Sequence, residues 1–203
     1  MREEKVAHYL LDCEAVFLKP QDPFIWASGI KSPIYCDNRQ MISMIEARKF
    51  VTDSFVELIK KNYPEVDVVA GTSTAGIAWA AWIADRMEKP MVYVRSSKKE
   101  HGRENLIEGK IKAGQKVIVI EDLISTGGSS MKVIEALKAD QAQVLALMSI
   151  FSYEFKKATE LFSNASVKVH VLCNFSTLLN VAISKGTIRD NEAQDILQWK
   201  SQF

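Results

Sequence analysis

Apolar residues recur at helical spacing through the opening segment, where Val6, Tyr9, Leu10, Cys13, Val16 and Phe17 share one stripe. That spacing predicts an amphipathic helix over 4–18. The next stretch, 20–39, is punctuated by Pro and Gly, and its pieces 24–27 and 33–37 predict two short strands joined around 28–32. A second helix follows, opened by a capping box of Ser43 and Glu46 and carrying Val51, Phe55, Leu58 and Ile59 on its apolar face. From residue 66 the period changes. Short, near-continuous runs rich in Val and Ile fall at 66–71, 91–95, 116–122, 143–151 and 167–173. Helical patterns at 75–87, 128–139 and 153–163 separate most of them, and two more lie near 176–184 and 189–199. Strands of this kind alternating with helices predict an α/β fold, a mostly parallel central sheet flanked by helices. Right-handed crossovers then bring the carboxyl ends of the strands, and any ligand, to one edge of the sheet. Segment 96–115 breaks the rhythm, having no helical pattern between two strands, and a long irregular loop inside a compact domain usually serves function.

Composition narrows the class. With 203 residues, 47% hydrophobic and 25% charged, the chain is an ordinary globular protein read as a single domain over 1–203, and general disorder is excluded. Lys and Arg number 26 against 25 Asp and Glu, so no global field draws the chain to nucleic acid or to an anionic membrane. Any affinity for phosphate must therefore be local. The three cysteines, Cys13, Cys36 and Cys173, are odd in number and show no CxxC spacing, which points to reduced thiols in a cytoplasmic protein. The charged opening MREEKVAHYL has no apolar signal core, and no window approaches the ~18 apolar residues of a membrane span.

The most informative segment is VIVIEDLISTGGSS, 117–130. A strand ends in two acids, Glu121 and Asp122, and the small residues Ser125, Thr126, Gly127, Gly128 and Ser129 open the next helix. Glycines let the backbone turn sharply and approach a ligand, and successive N–H groups at a helix N-terminus cradle an anion such as phosphate. Two carboxylates just before the cradle suit sugar hydroxyls or a hard cation. The segment carries neither the lysine of a P-loop nor a GxGxxG pattern.

This segment resembles the 5-phosphoribosyl diphosphate (PRPP) motif of the type I phosphoribosyltransferases. FIWASGIKSPIYCDNR at 24–39 and YVRSSKKEHG at 93–102 extend the likeness, in order and spacing, toward the branch of that family that uses orotate. The resemblance implies the type I phosphoribosyltransferase fold, with a helix and base-binding hood over 1–40 and a core sheet over 66–173 that carries a flexible loop at 96–115. It implies transfer of the phosphoribosyl group of PRPP to orotate, giving orotidine 5′-monophosphate and pyrophosphate in pyrimidine synthesis. Residues Ser125 to Ser129 would hold the 5-phosphate, with Leu123 and Ile124 completing the PRPP-binding stretch. Glu121 and Asp122 would hold the ribose, and Arg95, Lys99 and His101 the pyrophosphate. Lys99, His101 and Asp122 would be catalytic. Orotate would meet Ser125, Lys31 and Tyr35. Mg²⁺ would arrive on PRPP with no direct protein ligand, and a homodimer would donate the loop across its interface. Two other readings share the PRPP motif: a purine as acceptor, and a PRPP-binding regulator without turnover.

Overall fold

A computed structural model of the chain describes residues 1–26, 29–96 and 106–203. Helix α1 (Arg2–Asp12) is shorter than the periodicity predicts. Glu14 takes a left-handed φ of 52°, the Glu14 N–H donates to the Leu11 carbonyl and Ala15 N–H to that of Leu10, which closes the helix in a Schellman turn. Val16 and Phe17 therefore leave the helix and enter strand β1 (Val16–Leu18).

Strands β2 (Phe24–Ile25) and β3 (Lys31–Ser32) pair antiparallel, as a hairpin. Strand β4 (Ile34–Cys36) pairs with β1 instead, Val16 facing Cys36, so the expected partnership of 24–27 with 33–37 is corrected. The capping box is corrected too. A 3₁₀ turn over Asn38–Ile42 uses Ser43 as its own C-cap, the Ser43 hydroxyl donates to the Gln40 carbonyl, and α2 (Ile45–Asn62) starts after Met44 without a side-chain cap.

The remaining elements are β5 (Val68–Thr72), α3 (Gly76–Met87), β6 (Met91–Val94), β7 (Ile107–Glu108), β8 (Lys116–Ile124), α4 (Gly128–Ala139), β9 (Gln143–Ser152), α5 (Lys156–Asn164), β10 (Val169–Asn174), α6 (Phe175–Ser184) and α7 (Asp190–Lys200). Six strands form one sheet in the order β10-β9-β8-β5-β6-β7, parallel throughout except for β7, which runs antiparallel to β6. The expected irregular stretch 96–115 is thus broken by a two-residue edge strand, too short to leave a period in the sequence.

Alternation along the strands explains why their sequences look uniformly apolar. Ile118 and Ile120 of β8 and Val69 of β5 join the core beneath α1, α2, α3, α6 and α7. Val117, Val119, Val68 and Ala70 face the other way, into the core under α4 and α5. A strand buried on both faces shows no polar phase. From β5 the chain moves outward to β6 and β7, then returns to place β8 on the opposite side of β5 and continues to β9 and β10. The reversal between β5 and β8 leaves a crevice beyond their carboxyl ends.

Candidate active site

The crevice is filled by two loops. The loop after β5 supplies Thr72, Ser73, Thr74 and Ala75, and the end of β8 supplies Glu121, Asp122 and Leu123 with Ser129 beyond the turn. With Cys36, Asp37 and Arg39 from the N-terminal segment they enclose a polar lobe of about 370 Å³. A second, aromatic lobe of about 190 Å³ shares Cys36 and Leu123 with the first and adds Trp26, Tyr35, Ser125 and Tyr153. The cleft therefore has a polar half and a ring-lined half.

Two helices aim their N-termini at the polar half. Helix α3 starts at Gly76, where an added Cβ would sit 2.5 Å from the Ile120 carbonyl oxygen, so only glycine lets α3 approach β8 this closely. Helix α4 has Gly127 as its N-cap with φ 79°, and an added Cβ there would lie 2.7 Å from a Phe162 ring atom. Neither helix has a side-chain cap, so first-turn N–H groups and the positive ends of both dipoles remain available to an anion. The Thr72 and Ser73 hydroxyls are buried beside them without a hydrogen-bond partner, and the Ser73–Thr74 peptide is cis. Unpartnered buried donors at this position suit an oxygen-rich ligand.

The acids are tightly held. Glu121 is 5% exposed, and its carboxylate accepts the Asp122 N–H at 3.1 Å and the Ser130 hydroxyl at 3.0 Å. Burial, with the neighbouring Asp122 charge, pushes the Glu121 carboxyl up to about 8. Burial also raises Asp122. Asn38, fully buried, donates from Nδ2 to the Asp122 carbonyl at 2.6 Å and accepts from Cys36 Sγ at 3.2 Å, tying the N-terminal segment to the end of β8. Sequence reasoning passed over Asn38 because its role depends on a contact 84 residues away. Tyr153 was missed as well, since in sequence it reads as one more core aromatic. Burial, then the Asp122 and Asp37 charges, drive the Cys36 thiol well up, which favours its neutral form.

The expected site residues divide cleanly. Glu121, Asp122, Leu123 and Ser129 line the polar lobe, and Tyr35, Leu123 and Ser125 line the aromatic one. Thr126 is exposed on the turn and Gly127 and Gly128 form the start of α4. The Ile124 side chain is turned into the core under α4 and α5, leaving its carbonyl to accept the Tyr153 N–H. Arg95 follows β6, with its guanidinium 3.5 Å from Glu108. Lys31 is exposed on β3 and lines neither lobe. Lys99 and His101 lie outside the described residues.

A family model described as a phosphoribosyl transferase domain matches residues 41–183, a span holding both crevice loops. The chain belongs to the phosphoribosyltransferase family. Among its relatives, a protein of Listeria innocua named orotate phosphoribosyltransferase is 52% identical over 198 residues, 98% of this chain and 95% of that protein. One of the same name from Halalkalibacterium halodurans is 48% identical over the same share of this chain and 94% of its own. The crystal structure of orotate phosphoribosyltransferase from Aeropyrum pernix superposes with a TM-score of 0.79 at 28% identity, covering 91% of this chain and 99% of that one. Leishmania donovani UMP synthase shares the fold, with a TM-score of 0.84 at 23% identity over 99% of this chain, which spans 42% of that longer one. The resemblance carried by the three sequence motifs is thereby borne out.

Proposed function

We infer that this phosphoribosyltransferase uses orotate as acceptor, making orotidine 5′-monophosphate and pyrophosphate from orotate and PRPP in pyrimidine (UMP) biosynthesis. The observation that carries the reading is coverage. The family model begins at residue 41, whereas the orotate-named relative matches over 98% of the chain and so takes in the segment that walls the aromatic lobe. That lobe is ring-lined and continuous with the polar one, which suits a planar base attacking a sugar carbon.

In this reading the 5-phosphate lies against the N-terminus of α4 and residues 125–129, and Glu121 and Asp122 hold the ribose hydroxyls. A ring nitrogen of orotate forms the new bond to C1 as the C1–oxygen bond to pyrophosphate breaks; the electron pair of that bond leaves with pyrophosphate, and the proton on the nitrogen is released to solvent. Positive charge develops on the sugar beside Asp122, whose carboxylate stabilises it. The loop after β5 receives the pyrophosphate with backbone N–H groups and the free Thr72 and Ser73 hydroxyls. Arg95, Lys99 and His101 add cations there, and Ser125, Tyr35 and Lys31 serve orotate.

Among the described residues no group of three or more His, Cys, Asp or Glu side chains could hold a metal ion, while Asp37 and Asp122 open on one lobe. Such a donor set suits Mg²⁺ that keeps mostly substrate oxygens and enters with PRPP. Bound in that way, Mg²⁺ would supply positive charge against the negative charge gathering on the leaving pyrophosphate. A homodimer with the 96–115 loop donated across its interface, working in the cytoplasm, completes the proposal. It fits three unpaired cysteines, and no described helix is long and apolar enough to cross a membrane.

The test follows orotate absorbance as purified protein meets PRPP and Mg²⁺, with adenine and hypoxanthine in parallel. Loss of orotate that needs both additions is the expected result. Consumption of a purine instead would overturn the acceptor, and PRPP binding without turnover of any base would overturn the enzyme.

A further inference from the structure

The acceptor lobe is walled by Trp26 and Tyr153, and neither ring stands alone. Trp26 belongs to the segment just after β2, and the β2–β3 hairpin pairs at two positions only, Phe24 with Ser32 and Ile25 with Lys31. So short a hairpin has marginal stability of its own, and its place must be set by what packs against it.

The packing comes from the last helix. Trp199 of α7 donates its indole N–H to the Lys31 carbonyl at 2.8 Å, bridging 168 residues of chain. Its ring meets Trp26 edge-on, with centroids 5.8 Å apart and planes at 81°. Trp199 also contacts Phe155 at 5.9 Å and Phe203 at 5.1 Å. Phe155 in turn stacks on Tyr153 at 5.2 Å and 15°. Trp26 also meets Tyr153 directly at 5.3 Å and Phe155 at 6.4 Å, so both walls of the lobe belong to one aromatic cluster, which Trp199 ties to the hairpin through its hydrogen bond to Lys31.

Helix α7 is itself anchored. Ala193 and Ile196 are buried in the core, and Lys200 Nζ meets Glu154 Oε2 at 2.8 Å. Burial drives the Glu154 carboxyl up, but the hydrogen bonds from Lys200 and Ser176 outweigh it and hold the group below its ordinary value.

We propose that Trp199 is a positioning residue for acceptor recognition, clamping the β2–β3 hairpin and the Trp26 wall so that α7 sets the shape of the base lobe. Both clamp partners flank the family-matched span 41–183, on which the loops of the polar lobe lie. The clamp therefore acts on the acceptor side of the cleft and leaves the PRPP side alone. Its kinetic consequence rests on the orotate reading above, but its structural consequence does not.

Trp199→Phe keeps a ring and removes the N–H donor. Hydrogen exchange of backbone amides in 29–36 is expected to accelerate about three- to tenfold in the free protein, the range that loss of one neutral hydrogen bond allows, with β5 and β8 unchanged. The KM for orotate is expected to rise by a similar factor while kcat and the KM for PRPP stay within about twofold. Lys200→Met, which loosens α7 without touching the hairpin, is expected to shift exchange and orotate KM in the same direction. Unaltered exchange in 29–36 for both variants would overturn the clamp. A KM for PRPP that climbs in step with that for orotate would overturn the acceptor-side role. Wild-type protein that fails to consume orotate would remove the functional reading, and the exchange comparison would still decide the clamp.

Discussion

At the scale of single residues, Glu121 and Asp122 set the chemistry of the cleft and its response to pH. A carboxyl with one oxygen accepting Asp122 N–H and the other accepting Ser130 is fixed in place, and its burial beside a second acid favours the neutral form. Folded protein then keeps a proton on Glu121 up to about pH 8, whereas an unfolded chain releases it near the ordinary 4.5. The folded state binds more protons across this window, so the contribution is fully present below the lower value and is lost as pH rises through the upper one. Glu121→Gln removes the titration while keeping the shape. In ligand-free melts the Tm of this variant relative to wild type is expected to climb steadily from pH 5 to pH 8.5. A difference that stays flat would show that Glu121 titrates normally.

Among the elements, the junction of β8 with α4 carries the tightest local constraint. Gly127 combines a φ of 79° with a Phe162 ring where a side chain would go, and α4 begins there with its N–H groups uncapped. Gly127→Ala must either strain the backbone or move Phe162 and α5, at a cost of about 1–3 kcal/mol. The expected outcome is a lower denaturation midpoint together with weaker PRPP binding, because the same turn aims the helix N-terminus. Stability that falls while PRPP affinity holds would separate the two roles. Asn38 does similar work from the other side, since its hydrogen bond to the Asp122 carbonyl joins the 3₁₀ turn to the sheet edge.

For the whole molecule, the switch in strand order between β5 and β8 gathers residues from three distant parts of the chain into one cleft. The proposed dimer extends this gathering to a second copy. If Lys99 acts in the partner's site and Asp122 in its own, Lys99→Ala and Asp122→Asn proteins are each nearly inactive alone. Mixed one to one with subunit exchange, half the dimers pair unlike subunits and one of their two sites is intact, so about a quarter of wild-type activity is expected to return. No recovery would place both residues within one subunit's site.

Much of this molecule was legible in the sequence for a physical reason: strands buried on both faces must be apolar at every position, and helices between them must show a 3.6-residue period. The ranges of α3 and α4, the five long strands and the acid-bearing turn at 121–129 follow from that local signal. What escaped was decided by distant contacts. Val16 and Phe17 carry a helical phase, yet a left-handed turn at Glu14 and pairing with β4 make them strand. The two-residue strand β7 had no period to show. The cleft's polar half was readable because a carboxylate pair and a glycine turn are local requirements of phosphate and sugar chemistry. Its aromatic half was legible only in part: Tyr35 and Ser125 were expected there, but Tyr153 and Trp199 look like any core aromatics until the fold brings 24–36, 151–155 and 190–203 together. Sequence alone determined the layered α/β frame and the anion-binding turn; tertiary structure decided which rings face the acceptor, since that depends on packing among segments far apart in the chain.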